Sequence, residues 1–217
     1  MSVNLLYLNM KAKIKRILRK IISPIRRLGL KNKNFSIISN NCWGGIVYDI
    51  FGLQYLSPTI GLFMFSDDYI KFCENLEYYL KLPIIEIKVE ESRYCNELKL
   101  KNINCPIGKI KDVELIFLHY KNFNDAKVKW ERRCKRVKFD NLIIKFSDQN
   151  LFREENYYKF MNLSYKNKIF ITGNKKYIDE KNVVYLNQYQ KIGYAKDDIK
   201  SSFKRINLKK FFNNIER

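Results

Sequence analysis

Apolar positions along this chain switch between two periods. Ile14, Ile17, Leu18, Ile21, Ile22 and Ile25 fall on the i, i+3, i+4, i+7, i+8, i+11 spacing of one helix face. Lys13, Arg16, Arg19, Lys20 and Arg27 lie mostly off that stripe, and Pro24 predicts an end or kink near Ile22. A β-rich run, Phe35 to Ser39, follows. It gives way to a polar loop, Asn40-Asn41-Cys42-Trp43-Gly44-Gly45, and then to an amphipathic segment, Ile46 to Phe51. That order reads as strand, loop, helix.

Downstream the same alternation continues. Thr59 to Phe65 reads as a buried strand. Ser66 stands where a helix cap belongs, with Asp67 and Asp68 in the first turn, and Ile70, Cys73, Leu76 and Leu80 face inward. Ile84 to Val89 alternates as a strand, residues 90–105 are polar and irregular, and Val113 to Leu118 is a strand ending at His119. Phe123 to Val137 is predicted helical, with Phe123, Ala126, Trp130, Cys134 and Val137 on one side and Lys129, Arg132, Arg133 and Arg136 on the other. Leu142 to Phe146 is a buried strand, Arg153 to Met161 a helix, Lys168 to Thr172 and Val183 to Leu186 strands, and Ile199 to Ile215 a basic helix. The predicted fold is α/β: three layers, a mostly parallel sheet with helices on both faces, and a basic amphipathic helix in front. Residues 1–34 form the basic segment and 35–217 a single domain.

Charge adds a question about partners. The net charge is +20, and Met1 to Asn34 holds ten Lys or Arg with no Asp or Glu. Such a segment can lie on anionic lipid with its apolar stripe in the headgroup region, so residues 11–33 are the candidate membrane contact. The competing readings are a helix packed on the domain and, least favoured, contact with nucleic acid. Part of the basicity also follows from a chain crowded with residues of AT-rich codons: Lys, Asn, Ile, Tyr and Phe. No apolar run approaches the ~20 residues of a membrane span, and the N-terminus lacks a signal-peptide pattern. The expected location is cytoplasmic, peripheral on the inner face of the membrane. Five cysteines, an odd number without a CxxC pair, fit reduced thiols and give no zinc site; a single histidine excludes a His-rich metal centre. Nothing points to a particular cofactor.

If the strands are parallel, their carboxyl ends share one edge. Cys42 follows the first, Ser66 and Asp67 a second, His119 a later one and Asp148 the next. Thiol, imidazole and carboxylate are the parts of a Cys–His site in which Asp orients the imidazole. Asn40, Asn41 and the Gly44 and Gly45 N–H groups are candidate oxyanion donors, and Lys145, inside a buried strand, needs a partner or lines the site edge. Asp67 and Asp68 would serve instead in a metal–nucleotide-sugar site. The basic face of Lys129, Arg132, Arg133 and Arg136 is either solvated or holds phosphate.

The segments SNNCWGG (Ser39 to Gly45), SPTIGLFMFSDDYIKFCENLEYYL (Ser57 to Leu80), FLHYK (Phe117 to Lys121), KWERRCKRV (Lys129 to Val137) and DNLIIKFSDQN (Asp140 to Asn150) resemble a bacterial family, domain of unknown function nineteen-nineteen. The resemblance covers Phe35 to Thr172. Members are often labelled exopolysaccharide or capsule biosynthesis proteins, so it implies an α/β fold and a setting in surface-polysaccharide assembly. It assigns no residue a role. The expected function is therefore group transfer, foremost acyl transfer, to a sugar or lipid-linked glycan, with Cys42 as nucleophile or positioning thiol and His119 as base. The alternatives are a glycosyltransferase using a nucleotide sugar and a non-catalytic module that binds lipid-linked glycan or nucleic acid.

Overall fold

A computed structural model describes residues 21–215. Ile14, Ile17 and Leu18 of the predicted stripe lie outside the described residues. Residues 21–27 are helical, so the helix continues past Pro24 rather than ending near Ile22.

The central sheet has four parallel strands: β1 (Ser36–Ser39), then β5 (Leu142–Ser147), β6 (Asn167–Thr172) and β7 (Val183–Tyr185), in that spatial order. Ser36 to Ser39 pair with Leu142 to Lys145, and Ile143 to Ser147 with Asn167 to Ile171. β1 and β5 are buried along their whole length, as a parallel sheet covered on both faces requires. Their side chains alternate between two cores. Ile38, Ile144, Phe146 and Phe170 enter one, with Tyr69, Phe72, Trp130 and Phe160. Ile37, Ile143, Ile169 and Ile171 enter the other, with Trp43, Val47, Phe51 and Phe212. The first core lies under α2 (Ser66–Glu74), α3 (Leu76–Lys81), α5 (Phe123–Cys134) and α6 (Glu154–Asn162); the second lies under α1 (Trp43–Phe51), α7 (Asp198–Phe203) and α8 (Leu208–Asn213).

The long insertion between β1 and β5 departs from an all-parallel plan. β2 (Ile85–Ile87), β3 (Ile107–Ile110) and β4 (Val113–Ile116) form a separate antiparallel sheet, and α4 (Cys95–Leu100) lies within the stretch expected to be irregular. Thr59 to Phe65 is buried but is not a sheet strand. Its extended part makes a single antiparallel bridge, Phe63 with Ile116, and Met64 N–H donates to Asn40 O at 3.0 Å. Side chains from the start of this segment and from α1 close the open edge of β1. Ser39 N–H donates to Thr59 Oγ1 (3.1 Å), and Ile37 N–H donates to Tyr48 Oη (3.0 Å). An edge strand satisfied in this way leaves no template for another chain. The C-terminal helix expected over 199–215 is two short helices, with Asn207 capping the second by accepting from Lys210 N–H at 3.0 Å.

Candidate functional site

The loop after β1 is held rigidly because its polar groups are used inward. Ser39 Oγ donates to Asn41 O (2.7 Å) and accepts from Gly44 N–H (3.3 Å); Asn41 Oδ1 accepts from Trp43 N–H (3.1 Å). A side chain at Gly44 would sit 3.1 Å from both Ile37 Cγ2 and Ser39 Oγ, so glycine lets α1 start this close to β1. Below the loop stands Lys145, fully buried. Its Nζ donates to Asn41 Oδ1 (3.1 Å), Ser147 Oγ (3.1 Å) and Asn40 Oδ1 (3.3 Å), and pairs with Asp198 Oδ2. Asn41 Nδ2 donates to both Asp198 oxygens, at 3.1 and 2.9 Å, and Asn40 Nδ2 donates to Ser147 O at 3.1 Å. The donors of Asn40, Asn41 and Gly44 expected to face an oxyanion are thus spent inside a buried network, and Lys145 has the partner its burial requires.

Two more expected members stand apart. Asp148 accepts from Thr172 Oγ1, Gly173 N–H (3.1 Å) and Ala195 N–H (2.7 Å), joining β5 to β6 and to the chain before α7. Burial pushes its carboxyl up against those hydrogen bonds, and it lines a different hollow, with Gln149, Phe152 and Tyr194. Ser66 Oγ donates to Gln149 O (2.8 Å); the position before α2 is Phe65, so Ser66 caps nothing. Asp67 and Asp68 also diverge. Asp67 is bound by Arg153 Nη2 (2.9 Å to each oxygen) and Asn156 Nδ2 (2.7 Å). Asp68 is buried, accepting from Glu114 N–H (2.7 Å) beside Arg93. Among the described residues no three His, Cys, Asp or Glu side chains gather as metal ligands.

Cys42 and His119 do share a cleft. It has a volume of about 400 Å³ and is lined by both residues, by Gly45, Ile46 and Asp49 of α1, by Tyr55, Ile60 and Gly61, and by Tyr120, Lys129 and Arg133. His119 arrives from the antiparallel sheet, not from a parallel strand. Its N–H donates to Gly61 O at 3.0 Å, and its side chain is exposed. Gly61 has φ +72°, and a side chain there would meet Tyr120 Cε2 at 3.1 Å, so this glycine serves both the turn and the close approach. Cys42 Sγ lies half-buried, donating to Leu62 O at 3.8 Å. Burial, and after it the Asp198 carboxylate, push its thiol up to about 11, with Lys145 acting the other way. A Cys–His nucleophile works as a thiolate, whereas here desolvation outweighs the buried lysine and favours the neutral thiol.

The cleft's far wall carries residues the sequence pattern gave little reason to group. Tyr120 Oη donates to Ile60 O (2.6 Å) and accepts from Arg133 Nη1; Tyr55 Oη donates to Asp49 Oδ1 (2.6 Å). The Arg133 guanidinium lies 5.0 Å from the Tyr55 ring centre, and Lys129 Nζ 5.4 Å from that of Tyr120. Only the basic side of α5 signalled this wall in advance.

Residues 13–216 match the family described as Domain of unknown function (DUF1919). The chain belongs to that family. The match reaches well beyond the Phe35 to Thr172 stretch of the motifs and takes in α7, whose Asp198 completes the Lys145 network, and α8. The chain is also similar to a Haemophilus influenzae protein described as uncharacterized, 28% identical over 187 residues, covering 86% of this chain and 84% of that protein. Among the described residues of this DUF1919 chain no helix is long and apolar enough to cross a membrane, and all five cysteines are unpaired.

Proposed function

We propose that this protein is a group transferase of bacterial surface-polysaccharide assembly, acting on a sugar hydroxyl bound in the Cys42–His119 cleft. The observation that carries the reading is that the chain's single histidine stands exposed on the wall of an open cleft, beside aromatic and cationic side chains. Histidine is the side chain best suited to taking a hydroxyl proton near neutral pH. Tyr55 and Tyr120 offer ring faces of the kind sugars stack on.

The raised thiol of Cys42 favours direct transfer over a covalent cysteine intermediate. In acyl transfer from a thioester, His119 takes the hydroxyl proton as the oxygen bonds to the acyl carbon. The carbon–sulfur bond then breaks, and the proton passes to the leaving thiolate. Cys42 contributes a neutral thiol to the cleft floor. The polysaccharide setting is supported by the labels carried by members of the family that the motifs resemble. A location on the inner face of the membrane is supported by the basic, apolar-striped N-terminal segment. The glycosyltransferase alternative loses its carboxylate pair, since Asp67 and Asp68 are engaged on different partners.

Incubating the full chain with acyl-coenzyme A thioesters, nucleotide sugars and sugar acceptors tests the reading. His119→Ala is expected to reduce transfer roughly 10²- to 10⁴-fold, and Cys42→Ser by less than roughly tenfold. Transfer unchanged in His119→Ala removes the proposed base. A larger loss in Cys42→Ser than in His119→Ala restores the covalent route.

A further inference from the structure

We infer that Arg133 and the Gly45 N–H form a subsite for a phosphate or pyrophosphate group within the cleft. The inference deepens the transferase reading and rests on the same cleft being its substrate site.

The two buried cations of the described chain differ in one respect. Lys145 is matched by Asp198. Arg133, 7% exposed, makes no ion pair among the described residues. Its one hydrogen bond there runs from Nη1 to Tyr120 Oη, and its guanidinium lies against the Tyr55 ring. A guanidinium carries five N–H donors and does not shed its proton, so a largely buried one with a single hydrogen-bond partner and no ion pair attracts an anion to the cleft it lines.

A second donor stands on α1, at the same cleft. The first two N–H groups of that nine-residue helix are taken by Asn41 Oδ1 and Ser39 Oγ, whereas the third, on Gly45, has no partner among the described residues and lines the cleft. A helix N-terminus adds partial positive charge at that point. Lys129 lines the same wall, with Nζ shared with Asp125 at 2.7 Å. Asp49 is the one carboxylate among the lining residues, and its Oδ1 is occupied by Tyr55 Oη. Planar fork, helix N–H and flanking ammonium suit the tetrahedral oxyanion of a phosphate. A nucleotide sugar, a coenzyme A donor and a polyprenyl-pyrophosphate-linked sugar all carry one.

The test is calorimetric titration of the full chain with inorganic pyrophosphate, UDP, coenzyme A and a short-chain polyprenyl pyrophosphate. Inorganic pyrophosphate is expected to bind with Kd at or below about 1 mM. The three larger probes distinguish the sources, the tightest marking the natural one. Arg133→Gln should weaken binding roughly tenfold or more, with Arg133→Lys intermediate because it keeps charge but loses the fork. Equal binding by Arg133→Gln, or no binding of any probe to the unaltered chain, overturns the subsite. Should Arg133→Gln fail to fold, the unaltered protein still decides. Pyrophosphate should slow alkylation of Cys42 while leaving Cys95 unaffected, and equal rates with and without it overturn the subsite. His119→Ala separates the two readings. Pyrophosphate binding retained with transfer lost upholds both. Binding retained with transfer intact leaves the anion subsite alone. Binding absent from the unaltered chain with transfer lost in His119→Ala leaves the base alone.

Discussion

Lys145 and Asp198 form an ion pair shut away from water, with side chains 0% and 3% exposed. Lys145 alternates with Ile144 and Phe146, so it points to the face where α7 packs, and Asp198 opens that helix. Through Asn40 and Asn41 the pair also fixes the loop that presents Cys42. Removing one partner leaves the other charge buried, so Asp198→Ala is expected to destabilise by about 3–5 kcal/mol. Replacing both, as Lys145→Met with Asp198→Leu, should recover most of that loss. Urea unfolding of the unaltered protein, Asp198→Ala and the double variant measures it. A cost below about 1 kcal/mol for Asp198→Ala would mean that water enters the network.

Cys42 provides an independent check on the cleft. With its thiol at about 11, the thiolate is a fraction of order 10⁻⁴ at pH 7. Alkylation by iodoacetamide should therefore be slow at pH 7 and rise about tenfold per pH unit up to pH 10, without a plateau. Asp198→Asn removes a charge that holds the thiol up and should speed labelling. A plateau near pH 7 would show an activated thiolate and revive Cys42 as nucleophile.

These two sites show what the residue pattern could and could not disclose. Continuous apolar runs made β1, β5 and β6 legible, because a strand buried on both faces leaves an unbroken run. Thr59 to Phe65 has the same composition, but its burial comes from lying across Asn40 and Ile116, a tertiary event with no periodic trace. The need of Lys145 for a partner was readable from its place in a strand. The partner was not, since Asp198 lies far along the chain, just before the Ile199 to Ile215 segment that reads as a plain basic helix. Cys42 and His119 follow runs that read as strands, and both line the cleft, although His119 comes from the antiparallel sheet. Asp148 fits the same rule yet turns aside, because the loop after β5 is claimed by Thr172, Gly173 and Ala195. Strand ends mark an edge of the sheet, not the direction in which a side chain leaves it.

Asp68 gives stability a pH dependence opposite to that of an ordinary paired carboxylate. Burial raises its carboxyl to about 6, against a counteracting hydrogen bond from Glu114 N–H and the charge of Arg93, while the neighbouring Glu114 carboxylate adds to the rise. The folded state then binds the proton more tightly than the unfolded state, whose value is near 3.8. The stability from this group is full below pH 3.8 and is lost as pH rises through 6, amounting to at most about 3 kcal/mol. Asp68→Asn keeps an oxygen for Glu114 N–H and removes the titration. The stability difference between the two proteins should change between pH 4 and 7 in that direction. A difference flat across that window would place Asp68 in contact with water.

The N-terminal segment leads to the last prediction. Ser23 and Leu30 are buried against the domain, and Arg27 Nη1 donates to Gly52 O at 3.5 Å, so residues 21–30 are attached to it. Ile21, Ile22, Ile25 and Leu28 are nevertheless exposed, three of them by 65–69%. An apolar face held outward, in a stretch of sequence (residues 1–34) that has ten positive charges and no negative ones, suits an anionic lipid surface better than a packed helix. Each cation near such a surface contributes about 1 kcal/mol, screened over a Debye length of about 8 Å at physiological salt. The full chain should therefore co-sediment with anionic vesicles, more weakly with neutral ones, and added salt should reduce the binding without abolishing it. Ile25→Asp with Leu28→Asp should remove the salt-resistant part, since both side chains are exposed and their loss leaves the core intact. If the double variant binds anionic vesicles as well as the unaltered chain at high salt, the stripe does not insert. If neither protein binds at low salt, the segment is a structural helix and the protein reaches its substrate by another route.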